Sequence, residues 1–144
     1  MSKFEELCTA YAISRQAYRE SRQACLDFSD TFIQQFSDYL ECAIEKNNLN
    51  FHENGVLHFD VDIHVCEDPA NPENGDRKTV RIYFDISKVI DNFIVNIYPW
   101  GHQFKILIDE PRHFEEAFEY IFDKLQSAYT GVSQLSSEPD PLPF

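Results

Sequence analysis

The chain has 144 residues, with 25 acids against 12 bases for a net charge of −13, and it carries 13 phenylalanines, 7 tyrosines and one tryptophan against four glycines. That size and aromatic content suit one ordinary domain with a core of its own, which excludes a disordered chain and a disulfide-stapled miniprotein. The charge repels nucleic acid and anionic membrane and draws basic partners, and with no apolar run near ~20 residues and no signal-peptide start a soluble, cytoplasmic protein is expected.

No glycine or proline precedes Gly55, which favours helix over the first third of the chain. Ser2 and Glu5 fit a capping box, so a helix starts at Lys3. Phe4, Leu7, Tyr11, Tyr18, Cys25, Phe28, Phe32, Phe36, Tyr39, Leu40, Ala43 and Ile44 then follow at helical spacings as one apolar stripe. A continuous helix from Lys3 to Lys46 would be ~66 Å long, against a radius of gyration of ~15 Å for a compact chain of this size. The N-terminal helix is therefore either broken or long enough to protrude and pair with another chain, as in a homodimer through this helix. A break at Ser14 is favoured, because Ile13 and Tyr18 are placed as a hydrophobic staple around it. Ser14–Glu20 is echoed by Ser21–Asp27, which sets Arg15, Arg19 and Arg22 on one side. That basic stripe is either a solvated face or a contact for an acidic patch, such as that of a second subunit.

Asn47, Asn48, Leu49 and Asn50 are expected to end the helix, and Glu53, Asn54 and Gly55 to form a turn. From Val56 to Asp109 the pattern predicts four strands. In the first, Leu57, Phe59, Val61, Ile63 and Val65 alternate with His58, Asp60, Asp62, His64 and Cys66. A polar loop from Glu67 to Lys78, with two prolines and Asn74-Gly75, leads to a second strand near Thr79–Ile86. A turn around Asp91-Asn92 leads to a third, Phe93–Tyr98, and a reversal at Tyr98-Pro99-Trp100-Gly101 to a fourth, Gln103–Asp109. Short links imply an antiparallel meander in sequence order. Glu110-Pro111 begins a last helix whose stripe of Phe114, Ala117, Phe118, Ile121, Phe122 and Leu125 packs on one sheet face. The expected architecture is α+β, a single domain over 1–131 that stops at Gly131, followed by a flexible tail over 132–144.

Candidate chemistry concentrates on the polar face of the first strand. His58, Asp60, Asp62 and His64, with Asp85 if the next strand pairs alongside, are residue types that ligate transition metals. His58 and His64 lie ~20 Å apart along a strand and cannot share one ion, so only a neighbouring pair such as Asp62 and His64, completed from another strand, would serve. The loop over 67–78 is not a calcium loop, since with Gly75 at its glycine position the first ligand would be Ala70. Cysteines at 8, 25, 42 and 66 contain no Cys-x-x-Cys pair and read as reduced thiols, those on helix stripes as small core residues. No serine-nucleophile elbow, phosphate-binding glycine loop or dinucleotide fingerprint is present, and nothing in the spacing pairs a cysteine with a histidine base.

Binding needs a surface more than a constellation. The segment Gln23–Asp76 holds 12 acids and one base, Lys46, and Tyr83, Tyr98 and Trp100 are expected on or beside the polar sheet face as aromatic anchors. In size and charge the chain is similar to small immunity proteins that neutralise toxins, to secretion chaperones and to nucleic-acid mimics. A secretion chaperone usually interrupts its strands with a helix, and no good helix falls between Thr79 and Asp109. The leading expectation is a non-enzymatic module that needs no cofactor and binds a basic protein through Asp38, Glu41, Asp60, Asp62, Tyr83, Asp85, Tyr98 and Trp100. A metal-dependent enzyme using Asp60, Asp62, His64 and Asp85, and a homo-oligomeric subunit joined by the N-terminal helix, are the alternatives.

Overall fold

The structure is a computed structural model that describes residues 1–130; the expected stop at Gly131 and the tail over 132–144 lie outside the described residues. Helix α1, Lys3–Leu40, is followed by strands β1 (Glu45–Phe51), β2 (Leu57–Cys66), β3 (Arg77–Val89), β4 (Asn92–Tyr98) and β5 (His102–Leu107), and by helix α2, Pro111–Tyr129. The five strands form one antiparallel sheet in sequence order. The class is α+β as expected, with five strands where the pattern suggests four.

Helix α1 does not break at Ser14. Its cap is Ser2, whose Oγ accepts from Glu5 N–H at 3.1 Å, and 38 residues then run without interruption. At ~1.5 Å per residue this is ~57 Å of helix, and the mismatch with a compact globule is resolved by protrusion. Buried positions begin only at Cys25, while Phe4, Leu7, Tyr11 and Ile13 are 66–72% exposed. The helix also ends earlier than Lys46. Glu41 turns left-handed (φ 55°), its N–H reaching Asp38 O at 3.3 Å and Cys42 N–H reaching Ser37 O at 3.2 Å, a termination usually made by glycine.

The segment expected to finish that helix is instead β1. Its sequence, Glu-Lys-Asn-Asn-Leu-Asn-Phe, has poor strand propensity, and side chains fasten it to its neighbours. Asn47 Nδ2 donates to Asp62 Oδ2 at 3.1 Å and Asn48 Nδ2 to Asp60 Oδ2 at 2.8 Å, around a register shift between Asn47 and Asn50. On the opposite face Lys46 bonds Asp30 and, at 3.2 Å, Ser29 Oγ, tying the edge strand to α1.

Both helices lie on the apolar side of the sheet. Phe28 stacks on Phe93 with centroids 4.2 Å apart, Phe32 meets Phe84 edge-on at 5.5 Å, and Phe118 of α2 closes against Phe32 at 5.1 Å and Phe36 at 5.2 Å. Leu57, Phe59, Val61, Ile82, Val95 and Ile106 complete the buried layer. The polar side of the sheet is thus the one the helices leave bare.

Candidate functional site

Strand register sets the polar face out in rows. His58, Asp85, Asn96 and Gln103 are successive cross-strand partners; Asn47, Asp60, Tyr83 and Tyr98 form the next row, and Glu45, Asp62 and Arg81 the one after. Tyr83 and Tyr98 are each 37% exposed, as befits anchors on an open sheet. Trp100 is not among them. It folds over the β4–β5 turn to the helix side, half-buried and edge-on to Tyr120 at 6.1 Å.

Asp60 and Asp62 are buried and engaged inside the protein, where Arg81 balances one of their two charges. Asp62 accepts from Arg81 Nε at 2.8 Å, from Arg81 Nη2 at 3.3 Å and from Asn47. Asp60 accepts from Asn48 with one oxygen, and its other, buried and without a hydrogen bond among the described residues, faces Arg81 Nε at 3.8 Å. The guanidinium fork holds the Asp62 carboxyl below its ordinary pKa and the Arg81 guanidinium above its own. A depressed carboxylate pKa contributes stability above the unfolded value of ~3.9 and loses it as pH falls through the folded value. Asp62→Asn should therefore destabilise the protein at pH 7 and flatten the drop in urea midpoint between about pH 5 and the acid limit. An unchanged acid limb in the variant would show that the pair contributes nothing.

His64 lies near enough to Asp62 to help lower its pKa, but among the described residues the two belong to no common metal-ligating group. His64 shares a hydrogen bond with Thr79 Oγ1 at 2.9 Å and lies 3.7 Å from Glu45. The histidine that does find a carboxylate is His58, whose Nδ1–H donates to Asp85 Oδ1 at 2.5 Å, with the Tyr83 ring stacked beside it at 6.3 Å. His52, at the head of the β1–β2 turn, meets the His58 ring edge-on at 5.4 Å. Nothing in the alternation of β2 marks His52, because it stands outside the strand, and only the fold of the turn brings it in. All four cysteines are free: Cys8 and Cys42 exposed, Cys66 half-buried, and Cys25 in the core, where burial raises its thiol pKa.

The helical layer carries a second arrangement. Tyr39 of α1 and Phe122 of α2 are 40% and 39% exposed and meet edge-on at 6.4 Å. Partial desolvation, with the carboxylates of Glu119, Asp123 and Glu115 around it, raises the Tyr39 hydroxyl pKa. Asp38 and Glu41 are exposed at the same end of α1, and an open groove of about 470 Å³ runs past Phe122, lined also by Leu40, Ile63 and Leu125. Among the described residues, no helix is long and apolar enough to cross a membrane. No protein-family model, curated protein or solved structure matches the chain.

Proposed function

We propose that the protein is a non-enzymatic binding module for a protein with a basic surface, and that it acts by occupying that surface, as an inhibitor or immunity-type protein does. The observation that carries this reading is the Tyr39–Phe122 pair. Two half-exposed aromatic rings, set among Glu115, Glu119 and Asp123, offer a cationic partner both apolar contact and counter-charge. Asp38 and Glu41 extend this field, while Asp60 and Asp62, spent on Arg81, Asn47 and Asn48, add little to it. Tyr83 and Tyr98 remain available on the opposite side for a larger partner to grip.

The reading predicts a specific capture experiment. Immobilised full-length protein should retain partners of basic pI at about 0.05 M salt and release most of them at about 0.5 M, where the Debye length falls to a few ångströms. Glu119→Lys with Asp123→Lys should weaken that retention about tenfold or more, since like charges across an interface cost several kcal/mol. Retention of neutral or acidic partners only, indifferent to salt and to the charge reversal, would refute the proposal.

A second reading, self-association through the N-terminal arm of α1, rests on a different observation. The exposed residues Phe4, Leu7 and Tyr11 continue the heptad-spaced line that becomes the core at Cys25 and Phe32.

A further inference from the structure

His52, His58 and Asp85 place one ligating atom each within 4.8 Å of the others, the one such group of three among the described residues. We propose that these three side chains form a binding site for a divalent first-row transition ion of the zinc or cobalt kind. The site is independent of the partner surface on the helical layer.

The scaffold under it is rigid. His58 and Asp85 are directly opposite on the central strands β2 and β3, so their Cβ separation is fixed by the register. His52 is held by the turn it begins: its N–H donates to Val56 O at 2.9 Å and its carbonyl accepts from Gly55 N–H at 2.9 Å. Gly55 closes that turn at φ +85°, a conformation that residues with a side chain rarely adopt. Arg22 of α1, lying 4.3 Å from the Phe51 ring centroid, braces the strand end just before it.

The donor set selects the ion. Two imidazoles and one carboxylate suit zinc, cobalt or nickel, whereas calcium and magnesium prefer all-oxygen shells. Bonds of about 2.0–2.2 Å in a tetrahedron put ligand atoms roughly 3.3–3.5 Å apart, so a bound ion would take the place of the proton between His58 Nδ1 and Asp85 Oδ1, release it to solvent, and widen their present 2.5 Å separation by a side-chain adjustment of about 1 Å. His58 and Asp85 side chains are 30% and 23% exposed and His52 more so, which leaves the fourth position open to water or to a partner's side chain. A plain hydrogen-bonded pair accounts for His58 and Asp85, but it gives no reason for His52 to converge on them.

Cobalt(II) is the probe, titrated into the full-length reduced protein. The expected result is one saturable equivalent with weak d–d absorption, no intense thiolate-to-cobalt charge-transfer band, and paramagnetic broadening of the His52 and His58 ring signals. His52→Ala, in an exposed turn with no core contact to lose, and Asp85→Asn should each weaken binding about tenfold or more, with circular dichroism checking that the fold is kept. His64→Ala and Cys42→Ser should leave it unchanged. Absence of saturable binding at about 0.1 mM cobalt, a thiolate band, or unaltered affinity in His52→Ala would each overturn the assignment.

Discussion

Replacing Phe32 with alanine is expected to destabilise the protein by about 3–5 kcal/mol, the usual cost of truncating a fully buried phenylalanine. The ring has no exposed surface, and it is where the layers meet. Phe28 lies at 5.9 Å, Phe84 of the sheet at 5.5 Å, and Phe114 and Phe118 of α2 at 6.1 and 5.1 Å. Its neighbours belong to separate elements anchored by other contacts, so they cannot collapse into the vacancy, and the loss combines transfer energy with a cavity. Against a typical total of about 5–15 kcal/mol, the variant should melt roughly 10–20 °C lower. Phe4→Ala is the matched control. The same substitution at a position 72% exposed should change the urea midpoint within the range expected of a neutral surface change. Equal effects at the two positions, or a loss under about 1 kcal/mol at Phe32, would mean that the core is not organised around this ring.

That contrast between two phenylalanines of one stripe also shows what could be read from the chain alone. Alternation in β2 to β5 and the stripe of α2 are direct imprints of burial, so the residues that face the core announce themselves by period. Strand β1 leaves no such imprint. The partners of Asn47 and Asn48 are Asp62 and Asp60 on another strand, and its pairing is a tertiary fact that local propensity opposes. The helix stop at Glu41 is silent for a related reason, since a left-handed cap without glycine has no sequence signal. The expected break at Ser14 follows from assuming that the whole stripe is buried in one globule. Of the candidate site, the polar row containing His58 and Asp85 is legible as soon as two strands are paired, whereas His52 depends on how the turn after β1 folds back. Nor does alternation distinguish an open polar face from one whose acids, like Asp60 and Asp62, are buried beside an arginine that balances one of their two charges.

On the proposal of self-association through α1, substitution of Leu7 by aspartate should leave the protein monomeric at concentrations where the parent pairs, without lowering the stability of the core. The arm before Arg15 is exposed at every position, yet Phe4, Leu7 and Tyr11 lie on the face that Tyr18, Cys25 and Phe32 continue into the interior. Such a stripe is under-buried in a lone chain, and its charge pattern favours an antiparallel copy of itself. Glu5 and Glu6 stand near the tip, and Arg15 and Arg19 stand near the base. With Tyr11 opposite Tyr11, the two glutamates of one arm fall between the two arginines of the other, whereas a parallel pair would set like charges together. Burying three such side chains per arm yields on the order of 9–18 kcal/mol in gross, at about 1.5–3 kcal/mol each. Association costs about 4–15 kcal/mol, which offsets most of that gain, so the pairing is expected to be reversible and concentration-dependent rather than permanent. Light scattering across about 1–200 µM should then show the mass rising from one chain towards two, while Leu7→Asp stays at one chain throughout, with a urea midpoint equal to that of the parent at about 1 µM, where the parent is a single chain. Monomers at every concentration in the parent protein would leave the arm for a different protein to cover, and would end the case for self-pairing.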